Sequence, residues 1–154
     1  MALGIASTSV SGRSSTDAGP LFNGQLGLVL SSRTDLTADL SVQPYKAQNP
    51  VRDEGFTAIY GLLGAQIGLG TLYRSYLRPE LGVAFRSWSG SDVFVSSDAG
   101  PVAGLAFGRE IPIGATLGLV PELFVRVSGG DGLSTTLFGL AISVLPVGAR
   151  ARTQ

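Results

Sequence analysis

No cysteine and no histidine occurs in the 154 residues, and the one methionine is Met1. Without cysteine there are no disulfides, thiolate metal sites or sulfur nucleophiles. Without histidine most zinc sites, the serine–histidine triad and imidazole acid/base chemistry are excluded, so any hydrolysis would rest on carboxylates alone. No cofactor is implied, because phosphate-loop, Rossmann, EF-hand and zinc spacings are all missing and Gly68-Leu69-Gly70 lacks a third glycine and a following helix. Charge is scarce too. Asp, Glu, Lys and Arg make up 14% of the chain against about 25% in an ordinary soluble domain. Eleven basic residues cancel eleven acidic ones, leaving no basic field for nucleic acid. Met1 leads directly into Ala2, Leu3, Gly4 and Ile5, so no basic segment or cleavage site of a secretory signal is read here.

What is present is apolar and glycine-rich: 44% hydrophobic residues, positive mean hydropathy and 22 glycines, about twice the usual share. The glycines are dispersed through apolar segments, where each would cost a helix about 1 kcal/mol. Residues 55–73 have the length of a membrane helix and no charge, but five glycines and Gln66 argue against one. No composition shift divides the chain, and one domain over 1–154 is expected.

The primary pattern has a period of two. Leu36, Ala38, Leu40 and Val42 alternate with Asp35, Thr37, Asp39, Ser41 and Gln43, which puts apolar and polar side chains on opposite faces of a strand. Eight strands are predicted, at 2–11, 21–31, 34–43, 56–67, 72–87, 101–108, 115–127 and 135–145. The intervening segments alternate in length. Polar stretches at 12–20, 44–55 and 88–100 and a moderate one at 128–132 alternate with short turns near 32–33, 70 and 109–114. This order predicts an all-β, eight-stranded antiparallel up-and-down transmembrane barrel with both termini on one side. Two tetrapeptide or pentapeptide echoes support repeated hairpins: Asp17-Ala18-Gly19-Pro20 with Asp98-Ala99-Gly100-Pro101, and Leu77-Arg78-Pro79-Glu80-Leu81 with Leu119-Val120-Pro121-Glu122-Leu123.

An eight-stranded barrel has an interior just wide enough for side chains to fill. The parity carrying charges also carries glycine and alanine, so it is assigned to the lumen and the branched aliphatic parity to lipid. Asp35, Asp39, Glu80 and Glu122 then face Arg74, Arg78, Arg86 and Arg126, and buried charges of this kind must pair. The expected result is a static plug, with a proton path or a carboxylate-based enzyme using Glu80 or Glu122 as the competing readings. Pro79 and Pro121 predict a bulge or strand end near each, since proline removes a ladder donor. Tyr60, Tyr73, Tyr76, Phe56, Phe85 and Trp88 are assigned to an aromatic belt.

The segment Gly24-Gln25-Leu26-Gly27-Leu28-Val29-Leu30, the turn Ser31-Ser32-Arg33-Thr34 and the alternating Asp35-Leu36-Thr37-Ala38-Asp39-Leu40 resemble the small outer-membrane barrel family, the fold of outer-membrane proteins A and X. The resemblance is one of pattern and extends over nearly the whole chain. It implies residence in the outer membrane of a Gram-negative-type bacterium, membrane lipid as surroundings and a monomeric state, with an unidentified partner met by the long loops. Roles in that family include adhesion, anchoring, solute passage and lipid modification. Its lipid-modifying members rely on histidine, so their activity is not implied here. The family also ends its last strand in an aromatic residue, whereas this chain runs past Leu145 to Gln154. The competing architecture is a soluble barrel that binds a small apolar ligand or packs into an assembly, which requires the opposite parity to face inward.

Overall fold

A computed structural model describes residues 2–10, 13–49, 52–69, 75–89, 96–113, 117–130 and 133–146, with side chains described from residue 19 to 144 outside the turns and hairpin tips. Every element is a strand: β1 (Ala2–Val10), β2 (Arg13–Val29), β3 (Thr34–Asn49), β4 (Arg52–Leu69), β5 (Ser75–Ser89), β6 (Ser96–Arg109), β7 (Ile111–Ile113), β8 (Leu117–Gly130) and β9 (Leu133–Pro146). All pairings are antiparallel, β1 pairs with β9, and β6 pairs with β8, so the sheet closes on itself. β7 continues β6 in the same register, with Gly108 opposite Glu122 and Ile111 opposite Leu119. Glu110 interrupts one strand, and the ring therefore has eight.

The alternation seen in sequence sets the two faces. Leu40, Leu63, Leu81, Leu123 and Leu140 stand outward and half to two-thirds exposed, while Asp39, Leu62, Glu80, Glu122 and Ala141 on the other parity are buried. Exposed apolar side chains recur on every strand from β2 to β9. A soluble monomer rarely leaves a contiguous apolar patch above a few hundred Å². Here the patch encircles the molecule, which is the outer surface of a membrane barrel.

The strands are longer than the sequence pattern predicts. Residues 13–20, 44–49, 52–55 and 96–100, assigned to loops on their polarity, are paired backbone: Thr16 faces Ser9, Asn49 faces Arg52, and Ser96 faces Trp88. The physical reason is that beyond the lipid both faces of a hairpin meet water, so polarity there marks a change of solvent and not the end of a strand. The turn assigned to 109–114 likewise contains β7. The tight turn after β2 is present as expected, closed by Leu30 and Ser31 amides donating to the Thr34 carbonyl at 3.0 Å each.

Prolines shape the wall without bulges. Pro79 stays within β5 and pairs with Leu105, but the β4 ladder has a two-residue gap between Gly64–Glu80 and Ile67–Leu77 with its register unchanged. Pro121 stays within β8 and pairs with Ile142, while on its other side the ladder skips Arg109 and Glu110 between Gly108–Glu122 and Ile111–Leu119. A missing N–H breaks the ladder on one side only, so the expected bulge or strand end is corrected to a local gap. Similarly, β2 and β3 stop pairing after Phe22–Val42, short of Pro20 and Pro44, neither of which has an N–H to give. Beyond that point β3 stays paired with β4, which keeps β5 on its other edge as far as Gly55–Ser89; only past it does the β3–β4 hairpin, among the described residues, run on without a neighbour.

Candidate functional site: the lumen charge network

The inward parity of β3, β5 and β8 places Asp39, Ser41, Tyr76, Arg78, Glu80, Glu122 and Arg126 at the centre of the barrel, each nearly inaccessible. In the ring, β3 and β8 stand four positions apart out of eight, directly across the lumen. Arg126 bridges that diameter, its Nη1 donating to Ser41 Oγ at 2.9 Å and its Nη2 lying 3.6 Å from Asp39 Oδ1. A connected network follows. Tyr76 donates its hydroxyl to Glu122 Oε2 at 2.5 Å, and Arg78 Nη2 donates to Glu122 Oε1 at 2.8 Å. Glu80 sits between the two arginines, accepting from Arg78 Nε at 2.8 Å and Arg126 Nε at 2.9 Å. Ser41 Oγ donates to Asp39 Oδ1 at 2.6 Å, and Asn23 Nδ2 donates to Asp39 Oδ2 at 2.7 Å.

Desolvating this many charges is tolerable because every carboxylate has a guanidinium or a neutral donor within reach. Glycine and aromatic residues make the room. Arg126 lies over the Phe124 ring, 4.6 Å from its centroid, and its stem passes over Gly104, where an added Cβ would stand 3.0 Å from Arg126 Cγ. Phe124 in turn covers its cross-strand partner Gly139, and a Cβ there would overlap the ring. Gly139→Val is therefore expected to lower stability by about 1–3 kcal/mol through overpacking. Equilibrium urea unfolding in micelles checks this; an unchanged midpoint contradicts the packing.

A second group lies nearer the end opposite the termini. Arg86 Nη2 donates to the Gly129 carbonyl at 3.1 Å, its Nη1 reaches Thr135 Oγ1 at 3.5 Å, and Nη1 also lies 3.5 Å from Asp98 Oδ2. Around and below it the lumen is apolar, lined by Leu21, Ala58, Tyr60, Val102 and Leu137.

The expected charge set is thus distributed and not gathered into one cluster. Asp39, Arg78, Glu80, Glu122 and Arg126 meet at the centre, Arg86 joins the separate group with Asp98, and Asp35 is buried near the termini end of β3. Arg74 lies outside the described residues. Sequence reasoning missed Ser41, Asn23 and Asp98 as partners, although Ser41 shares its parity with Asp39. Tyr60 and Tyr76, assigned to a belt, are buried inward at 1% and 5% exposure; Phe85 does face outward, while Tyr73 and the side chains of Phe56 and Trp88 lie outside the described residues. Among the described residues no group of three or more acidic side chains is arranged to hold a metal ion.

No protein-family model and no curated protein sequence matches the chain. Solved structures match it in shape. Neisserial surface protein A (NspA) superposes with a TM-score of 0.64 at 12% identity, covering 94% of this chain and 92% of that one. Ail, the attachment invasion locus protein of Yersinia pestis, does so with a TM-score of 0.60 at 13% identity, covering 94% and 95%. The fold is that of the small outer-membrane β-barrels. The outer membrane enzyme PagL shares this barrel fold as well, with a TM-score of 0.59 at 13% identity over 96% of this chain and all of that one. A surface protein, an attachment invasion locus protein and an enzyme thus share this barrel fold, and the role has to be argued from the side chains.

Proposed function

We propose that the chain is a non-enzymatic barrel of the outer membrane of a Gram-negative-type bacterium, sealed by its own side chains, with recognition carried by the hairpins at the end opposite the termini. The observation carrying this reading is the bridge from Arg126 to Ser41 and Asp39 across the full width of the lumen. Together with Arg78, Glu80 and Glu122 it leaves every central carboxylate engaged, so none is available as a general base, and the chain has no histidine to take that part. A structural or surface-contact role is supported by the β3–β4 hairpin, which pairs out to Asn49–Arg52 beyond its last contact with β2. Ail, named for attachment and invasion, presents the same fold. Membrane lipid is the partner of the outer face, and zero net charge gives nucleic acid no purchase. The barrel acts as a monomer. A soluble ligand-binding barrel is disfavoured because its exterior would have to be the polar parity. Planar-bilayer recording tests the sealed lumen. The wild-type protein is expected to give no discrete conductance steps, and a stable open channel overturns the proposal.

A further inference from the structure

The tetrapeptide Asp98-Ala99-Gly100-Pro101 and its echo Asp17-Ala18-Gly19-Pro20 each lead into a break in the wall. β2 and β3 are last joined at Phe22–Val42, and in that register Pro20 would stand directly opposite Pro44. β6 and β8 are last joined at Val102–Ser128, and there Pro101 would face Gly129. Proline has no N–H to give, so both ladders end where it enters. The other pairings run on to the hairpins: β3–β4 to Asn49–Arg52, β4–β5 to Gly55–Ser89, β5–β6 to Trp88–Ser96, β8–β9 to Gly130–Leu133, β9–β1 to Thr135–Val10 and β1–β2 to Val10–Arg13. Four strands separate the two breaks in either direction round the ring. The end opposite the termini is therefore a pair of four-stranded leaves, β3–β4–β5–β6 and β8–β9–β1–β2, facing each other across the lumen.

The breaks begin where the lipid-facing band ends. Along the outward parity Ile59 gives way to Thr57, Phe85 to Ser87 and Phe138 to Thr136. Unpaired N–H and C=O groups at that level meet water, which hydrocarbon does not provide. Inside, both leaves contribute to one apolar layer, Ala58, Tyr60 and Val102 from the first and Leu21 and Leu137 from the second. Such contact is non-directional. Arg86 adds direction, because it crosses from one leaf to the other. From β5 its Nη2 donates to the Gly129 carbonyl of β8 and its Nη1 reaches Thr135 Oγ1 of β9, while Asp98, its direct partner on β6, flanks it from its own leaf. Gly100 completes the contact. A Cβ there would overlap the Gly129 oxygen, so a side chain at this point would hold the leaves apart.

We propose that the outer end is a clasp, in which the two leaves spread about the central charge network and Arg86 is the latch that closes them over the apolar layer. The network is the fixed point because Arg126 and Glu122 of β8 are tied to Ser41, Arg78 and Glu80 of the other leaf. Spreading breaks no ladder hydrogen bond, since neither seam has one. It exchanges the bonds of Arg86 for water and opens the apolar layer to solvent. The tetrapeptide on β6 then has a part for three of its residues: Asp98 flanks the guanidinium, Gly100 admits the Gly129 carbonyl, and Pro101 keeps the edge from zipping shut. The clasp is a property of the wall and does not depend on what the hairpins contact.

Spin labels test this in a chain with no native cysteine. β4 and β9 stand diametrically opposed, one in each leaf. In full-length protein refolded in phosphocholine micelles, labels at Thr57→Cys with Thr136→Cys measure the mouth, and labels at Leu63→Cys with Leu140→Cys measure the waist. Arg86→Met, which keeps the length of the side chain and removes its donors, is expected to lengthen and broaden the mouth distances and to leave the waist unchanged. Gly100→Ala, which keeps Arg86 and displaces the Gly129 carbonyl, is expected to do the same, and whichever variant refolds decides. Hydrogen exchange gives a reading without labels. Amides at the seam ends, Phe22, Val42, Val102 and Ser128, are expected to exchange about tenfold faster once the charge-assisted bond is lost, with those of Leu81 and Leu123 unchanged. Mouth distances that match the unaltered chain overturn the proposal. So does equal widening at the waist, which assigns the effect to a barrel loosened throughout.

Discussion

Glu80→Ala is expected to destabilise the barrel by about 3–5 kcal/mol, the range for removing one partner of a buried ion pair. The size follows from what is left behind. Glu80 is 2% exposed and takes the Nε protons of both Arg78 and Arg126. Its loss takes one carboxylate from two guanidinium groups that are each only 1% exposed. Arg78 retains Glu122, and Arg126 retains Ser41 and Asp39, so the barrel weakens without losing the whole network. Tyr76→Phe removes only one charge-assisted hydrogen bond to Glu122 and should cost about 1.5–3 kcal/mol. Reversible denaturant unfolding in micelles reads both. A Glu80→Ala protein within about 1 kcal/mol of wild type would show that the lumen is wet enough to solvate the arginines.

Leu123→Arg, Leu40→Arg and Ile142→Arg should each cost about 2–4 kcal/mol, because all three point from the middle of their strands into the apolar outer band, at 59%, 58% and 47% exposure. In a soluble protein, substitutions at such exposed sites are nearly neutral, within about 0.5 kcal/mol. The sign of exposure is therefore reversed by lipid: the most accessible leucines become the least replaceable. Leu30→Arg, at the short turn that ends β2, provides the depth control, with an expected cost of about 0–1 kcal/mol near the interface. Unfolding from lipid vesicles gives these values, and four equal, near-neutral effects would remove lipid from the account.

Much of this was legible from residues alone, because period-two alternation is a local signal that fixes which side chains share a face. Leu36 to Val42 on one side and Asp35 to Gln43 on the other needed no tertiary information. Pairing across the ring was not legible. Nothing local ties Arg126 to Ser41, which lies 85 positions away, or separates Arg86 and Asp98 from the central group. Strand ends were misplaced for a solvent reason, since residues 44–49 lose their apolar parity where lipid ends while their backbone stays paired. Tyr60 and Tyr76 were misassigned because proximity to a predicted strand end says nothing about parity, and both occupy even positions that face inward on β4 and β5. Pro79 and Pro121 were read correctly as breaks in hydrogen bonding, but a ladder has two sides and only one was lost.

Refolding with and without detergent tests the central claim most directly, that the apolar parity faces lipid and the polar parity a sealed interior. The urea-denatured chain, diluted into phosphocholine micelles, should regain a β-sheet circular dichroism spectrum and elute as one species, whereas the same dilution into buffer should give aggregate. A monodisperse, β-rich protein in detergent-free buffer would contradict it.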